Sequence, residues 1–335
     1  MALRAQIPVV ERPAIADDVE RGLTATPKSL PPRLFYDARG SELFEAITRL
    51  PEYYLTRTER AIFEQYADEM MAAAGEGISI IELGAGTSEK TEILLRAALK
   101  RQFSLTYYPV DVADSALAIA KERLTSALPR LRVQPLVADY TRGLPALTQI
   151  PGRKLVLNIG SSIGNFDLRE AADILKRIGQ GLPDGDSLLL GTDLVKRAAL
   201  LHAAYNDADG VTAAFNLNLL ARINRELGAD FDLRRFRHEA VWNPAASRVE
   251  MYLISLEKQR IDIPALDMTV DFREGERIHT ENSYKFTAEL VRELLHTAGF
   301  ELHRSWCDRD DLFAVHLARR NASFGTPPST KTEIS

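Results

Sequence analysis

The chain has 335 residues, 45% hydrophobic and 27% charged, an ordinary soluble composition with room for one large α/β domain and an addition. Its net charge of −5 gives no basic footprint for nucleic acid, no apolar run approaches the ~18 residues of a membrane span, and no signal peptide is evident. A cytoplasmic protein with neither kind of partner is expected. The single cysteine, Cys307, excludes an internal disulfide or thiolate cluster, and six scattered histidines lack His-x-x-x-His spacing, so no metal is expected.

Residues 1 to about 25 read as a loosely held arm with one short helix, 15–23. The proline pair in 30–37 predicts an extended or turn-like segment. After Gly40, Ser41 is placed to cap a helix carrying Leu43, Phe44, Ile47 and Leu50 on one face, ended by Pro51. Thr56 and Glu59 have capping-box spacing and predict a helix running to about Ala74. The adjacent Tyr53 and Tyr54 between these helices fit core packing and a pocket floor equally well.

Next comes a short β-branched run, Ile78 to Ile81, a glycine turn with Gly84 and Gly86, and a helical pattern from Glu92 to Arg101. A strand, a glycine turn and a helix start make the nucleotide-cradling unit of a doubly wound sheet. Glu89 stands where a dinucleotide fingerprint has its third glycine and where a P-loop has the glycine before lysine, so it repels a pyrophosphate or triphosphate. A nucleoside with a cationic centre and no phosphate tolerates that acid, and S-adenosylmethionine fits; a bare structural turn is the alternative.

A second strand, Leu105 to Val110, ends at Asp111, 27 residues beyond Gly84, where an acid typically takes ribose hydroxyls. The other reading of Asp111 is a cap for a helix at 113–123. A third strand, 132–137, ends at Asp139 and Tyr140, an acid and an aromatic suited to an adenine edge and face. The fourth, 155–159, leads into Gly160-Ser-Ser-Ile-Gly-Asn165, either a ligand loop or a glycine turn with Asn165 capping the helix at 167–179. A fifth strand begins at Ser187. Helices at 197–206 and 211–227 and alternating runs at 236–242 and 248–256 then break the β-α alternation. A helix after Thr287 and two last strands, 300–307 and 312–318, predict an antiparallel edge. Beyond Asn321 a polar tail with a proline pair reads as disordered.

Five stretches, Phe35–Ser41, Leu50–Tyr54, Glu82–Thr91, Gly160–Phe166 and His279–Phe286, together resemble the histidine-specific Nα-methyltransferases of ergothioneine biosynthesis. The likeness covers about residues 30 to 318. It implies a Rossmann-like methyltransferase sheet with an inserted α+β substrate lobe: an N-terminal segment 1–60 belonging to the lobe, a core 61–195, the lobe insertion 196–285, a return to the core 286–320, and a tail 321–335. It also implies S-adenosylmethionine as donor and three methyl transfers to the amino nitrogen of free L-histidine, giving hercynine. A monomer is expected.

Carried over position by position, the cofactor contacts fall on Gly84, Lys90, Asp111, Asp139 and Tyr140, with Gly86 completing the turn. Related sequences usually have Phe where this chain has Tyr140; the ring face is kept. The histidine contacts fall on Tyr53, Asn165, Tyr205, Glu281 and Ser283, with Tyr36, Phe44, Gly160, Thr212 and Met251 around the pocket. Tyr36 is the side chain expected to steer the amine, with Asn165 beside it. Glu281 and Ser283, two apart on an apparent strand, project to one face and offer an acceptor and a hydroxyl to the two imidazole nitrogens. The competing readings are a methyltransferase for another amino acid or small amine and a non-catalytic S-adenosylmethionine sensor.

Overall fold

The computed structural model describes residues 14–141, 147–321 and 323; the arm before residue 14 and nearly all of the expected tail lie outside them. Two compact units are present. One is formed by the described residues up to Ile47 with Asn206–Val241 and Glu250–Glu281; the other comprises the described residues of Thr48–Tyr205, Trp242–Val249 and those from Asn282 onward.

The larger unit is an α/β sheet. Its strands run in the order Phe300–Cys307, Phe313–Arg320, Ser187–Asp193, Arg153–Asn158, Ile78–Leu83, Leu105–Asp111, Leu131–Val133, with Leu136–Val137 also pairing to Leu105–Asp111. The strands from Ser187–Asp193 through Leu131–Val133 are parallel, and the last two in the chain close one edge antiparallel, as the sequence predicts. Strands covered on both faces read as continuous apolar runs, and alternate residues supply two separate cores. Ile80, Leu155, Leu157 and Leu189 pack with Ile62, Phe63, Leu94 and Leu95 from helices Tyr54–Ala74 and Thr91–Arg101. Ile81, Val156, Leu188 and Leu190 pack with Ile174, Leu175, Leu294 and Leu295 from helices Leu168–Gln180 and Ala288–Thr297. Each strand thus feeds both cores through neighbouring residues. No helix among the described residues is long and apolar enough to cross a membrane.

The smaller unit carries helices Ala16–Thr24, Ala38–Ile47 and Val211–Leu227 and a hairpin of Gln259–Ile263 with Met268–Phe272. A four-stranded sheet in the order Lys28–Ser29, Arg277–Tyr284, Arg248–Ser255, Phe236–Asn243 contributes most of its strand residues here. Phe35 stacks on Phe215 with ring centroids 4.5 Å apart.

Three local expectations are corrected, and one of two open readings is excluded. The helix expected after Ser41 begins at Ala38, because the Asp37 carboxylate accepts from the Gly40 N–H at 2.6 Å and does the capping instead. Thr56 and Glu59 form no capping box: that helix starts at Tyr54, and Glu59 is turned inward and fully buried. The third strand is split into Leu131–Val133 and Leu136–Val137, interrupted at Pro135, which has no N–H to give the ladder. The helix after the Gly160 loop is capped by Asp167, not Asn165, through a reciprocal capping box with Glu170.

That box makes a measurable contribution. Removing an N-cap acceptor costs about 1 kcal/mol, so Asp167→Ala should lower the free energy of unfolding by about that amount in urea, with an unchanged denaturant slope.

Candidate active site

In open α/β sheets ligands bind beyond the carboxyl ends of strands where the strand order reverses. Here the reversal lies between Ile78–Leu83 and Arg153–Asn158, whose following turns hold Gly84, Gly86 and Gly160, all left-handed at φ of +70°, +49° and +75°. A Cβ on Gly84 would lie 3.6 Å from the Tyr140 ring, whereas one on Gly86 would meet nothing within 4 Å. The turn is therefore bare backbone facing open space on one side and an aromatic ring on the other.

Asp111 organises this turn. One carboxylate oxygen accepts from the Gly86 N–H at 2.8 Å and the other from the Ala113 N–H at 2.9 Å, so it braces the glycine turn, a role neither sequence reading gave it, and also the entry to the next helix. Asp139 accepts from the Thr141 N–H at 2.9 Å. Beneath the turn, Glu82 is buried and accepts hydrogen bonds from the hydroxyls of Thr91 (2.7 Å) and Tyr107. Desolvation pushes its carboxyl up to about 7, against those two hydrogen bonds and the nearby Lys90 ammonium, which lower it.

Lys90 and Gly160 meet through a residue that sequence reasoning took for a helix cap. Glu59 takes the Lys90 ammonium on one oxygen and the Gly160 N–H on the other at 2.8 Å. Gly191 is required beside it, since a Cβ there would lie 2.3 Å from the Glu59 carboxylate. The neighbouring Ser161, left-handed at φ +57°, is held by the Asp193 N–H donating to its hydroxyl at 2.9 Å.

A second buried network surrounds Asp193. The Tyr54 hydroxyl lies 2.9 and 2.8 Å from its two oxygens, Lys196 bonds one of them, and Lys285 bonds the other at 2.8 Å. Lys285 and Asp193 are both fully buried. The Lys285 ammonium also donates to Ser283 at 2.8 Å and Tyr205 at 3.0 Å, whose hydroxyls are 2.7 Å apart. The Tyr53 ring meets Tyr205 edge to face at 6.3 Å. Burial lowers Lys196 to about 8, with Asp193 opposing, and burial followed by the Asp193 charge pushes the Tyr54 phenol up.

Of the expected site residues, the larger unit thus gathers Gly84, Gly86, Asp111 and Tyr140; joins Lys90 to Gly160; and joins Tyr53, Tyr205 and Ser283. Asn165 ends a 3-10 turn, Ser162–Asn165, on the loop after Gly160. In the smaller unit, Tyr36 lies edge-on to Phe44 and Phe215 at 5.9 and 6.0 Å, and Thr212, Met251 and Glu281 are buried. Glu281 shares strand Arg277–Tyr284 with Ser283. Sequence reasoning missed Glu59, Asp193, Lys196 and Lys285. Two signals were available: Asp193 closes a strand as Asp111 does, and Lys285 continues the 281, 283 alternation.

The profile of the histidine-specific, S-adenosylmethionine-dependent methyltransferases matches residues 15–320. The chain belongs to this family. Among relatives of this histidine-specific methyltransferase, the histidine N-alpha-methyltransferase of Mycolicibacterium smegmatis is 46% identical over 307 residues, covering 92% of this chain and 95% of that protein. The Mycobacterium tuberculosis histidine N-alpha-methyltransferase is 45% identical over 309 residues, with the same coverage of both chains. Ergothioneine biosynthesis protein 1 of Neurospora crassa is 33% identical over 312 residues, covering 90% of this chain and 34% of its own length.

Glu82 gives this methyltransferase a pH-dependent stability. Its folded carboxyl titrates near 7, above the ordinary glutamate value of 4.5, so between these values the native state binds more protons than the unfolded state. Stability from this group is therefore present below about pH 4.5 and is lost as pH rises through 7, by ~3 kcal/mol at most. Glu82→Gln should remove that downward slope; denaturant unfolding of both proteins at pH 5, 6, 7 and 8 measures it.

Proposed function

We propose that the chain methylates the α-amino nitrogen of free L-histidine three times with S-adenosylmethionine, giving hercynine, the first step of ergothioneine biosynthesis. The observation that carries this reading is the 46% identity, over nearly the full length of both chains, to a histidine N-alpha-methyltransferase. The residues present suit the donor. The Gly84–Gly86 backbone is open to a ligand, Asp111 offers carboxylate acceptors for ribose hydroxyls, Asp139 and Tyr140 offer an edge and a face for adenine, and Lys90 offers a cation.

S-adenosylmethionine supplies a methyl on a sulfonium: the amine lone pair forms the N–C bond as the S–C bond breaks to a thioether; after the first two transfers the nitrogen releases a proton, and after the third it is a quaternary ammonium with none to release. What remains for the protein is to present a neutral amine in line with that methyl. The α-amine of a free amino acid, held above the ~7.7–8.0 of a chain terminus by its own carboxylate, is mostly ammonium at neutral pH, and its proton leaves to water before the transfer. Tyr36 and Asn165 steer the amine, and the Asn165 amide donates to the substrate carboxylate. Glu281 and Ser283 take the two imidazole nitrogens, with Tyr53 and Met251 as ring-facing wall. The small residues Gly160 to Ser162 leave room for bulk growing on nitrogen through three transfers.

Purified protein incubated with S-adenosylmethionine and each amino acid in turn should add three methyl groups to histidine, located on the α-nitrogen by fragmentation mass spectrometry. Transfer to a different amino acid only, or to none, would overturn the reading. Removing a charged hydrogen-bond partner costs ~1.5–3 kcal/mol, roughly ten- to 150-fold in affinity. Glu281→Ala should lower kcat/KM for histidine by that factor while donor affinity, read by calorimetry, stays within twofold.

A further inference from the structure

Lys285 is a fully buried ammonium with three N–H donors, and the structure provides three oxygens for them: Asp193 Oδ2 at 2.8 Å, Ser283 Oγ at 2.8 Å and Tyr205 Oη at 3.0 Å. Its ring contact with Tyr205, 4.8 Å to the centroid, fixes the lysine from the same side. A hydroxyl oxygen that accepts from a cation has a lone pair committed and its proton directed elsewhere. The Tyr205 and Ser283 hydroxyls also share a hydrogen bond at 2.7 Å. When Tyr205 donates in that bond, both serine lone pairs are filled and the serine has only its proton to give.

We propose that Lys285 is a positioning residue that sets the Tyr205–Ser283 hydroxyl pair as hydrogen-bond donors, so that the site takes the neutral imidazole of histidine and rejects the imidazolium. The inference rests on the substrate reading above. The Glu281 carboxylate accepts from an N–H of either ring form, so the choice falls to the Ser283 side, where imidazolium, with two N–H groups and no lone pair, meets a donor with a donor and the buried ammonium with a like charge. The charged and titratable groups packed around Lys285 fit this role. Asp193 already bonds Lys196 and Tyr54 as well as Lys285, Lys196 lies under the further influence of Asp308, and Tyr53 faces Tyr205 through its ring edge. Asp193 is thus engaged by two ammonium groups and a phenol.

The test is the acid limb of kcat/KM. With a neutral amine required, log kcat/KM for any amino acid rises with a slope of about 1 below the amine pKa; requiring a neutral ring as well steepens it to about 2 below the imidazole pKa of ~6.5. Wild type should show the steeper slope with histidine and a slope of about 1 with 3-(1,2,4-triazol-3-yl)alanine, whose ring keeps an acceptor and stays neutral in this range. Any enzyme group titrating there, Glu82 included, is common to both substrates and cancels. Lys285→Met should bring the histidine slope back to about 1 and raise KM at pH 8 at least tenfold, with kcat within threefold and donor binding by calorimetry unchanged. Equal slopes for the two substrates in wild type, or a Lys285→Met protein that binds donor normally and keeps the wild-type KM and slope, would overturn the proposal. If Lys285→Met fails to fold, the wild-type comparison of the two substrates decides alone. A wild-type protein that does not methylate histidine at all would overturn the substrate reading, and this inference with it.

Discussion

The Asp193 carboxylate is the constraint around which the proposed substrate-side residues of the larger unit are arranged. Burying an ion costs several kcal/mol unless it is paired and hydrogen-bonded. Asp193 is fully buried and meets that requirement with Lys285, Lys196 and the Tyr54 hydroxyl. Each of these comes from a different stretch: the start of helix Tyr54–Ala74, the segment after strand Ser187–Asp193, and the residue following strand Arg277–Tyr284. A buried pair of this kind is weak evidence for stability, since an apolar replacement often does as well. Its role here is geometric, because the lysine that balances Asp193 also holds the Tyr205 and Ser283 hydroxyls.

Glu59 plays the corresponding part on the proposed donor side. Its two oxygens tie Lys90, at the start of the helix after the glycine turn, to the backbone of Gly160 on the neighbouring strand's loop. The expected donor residues and the expected substrate loop therefore share one buried carboxylate. Gly191 is the consequence in sequence, a position where any side chain would displace that carboxylate.

The strands, the glycine turn and the antiparallel edge were legible because each has a local cause: apolar runs for doubly covered strands, positive φ for Gly84 and Gly86, an acid at a strand tip for Asp111. Glu59 was misread because its spacing from Thr56 is that of a capping box, and spacing alone does not say which way a glutamate turns. Ser41 was misread as the cap of the second helix for a similar reason: a serine ahead of an apolar face has the spacing of a cap, and only the observed helix start shows that Asp37 does the capping. The Asp193–Lys285 pair joins residues 92 apart in the chain, and no periodicity relates them.

The recognition account makes one demand that needs no mutation. Donors held toward the ligand require acceptors on it, at the carboxylate and at the ring. Calorimetric titration of the wild-type protein, saturated with S-adenosylhomocysteine, with histidine, histamine and phenylalanine tests that demand. The account predicts that histamine, which lacks the carboxylate, and phenylalanine, which lacks the ring nitrogens, each bind at least tenfold more weakly than histidine. Equal affinity for histidine and either of the other two would contradict it.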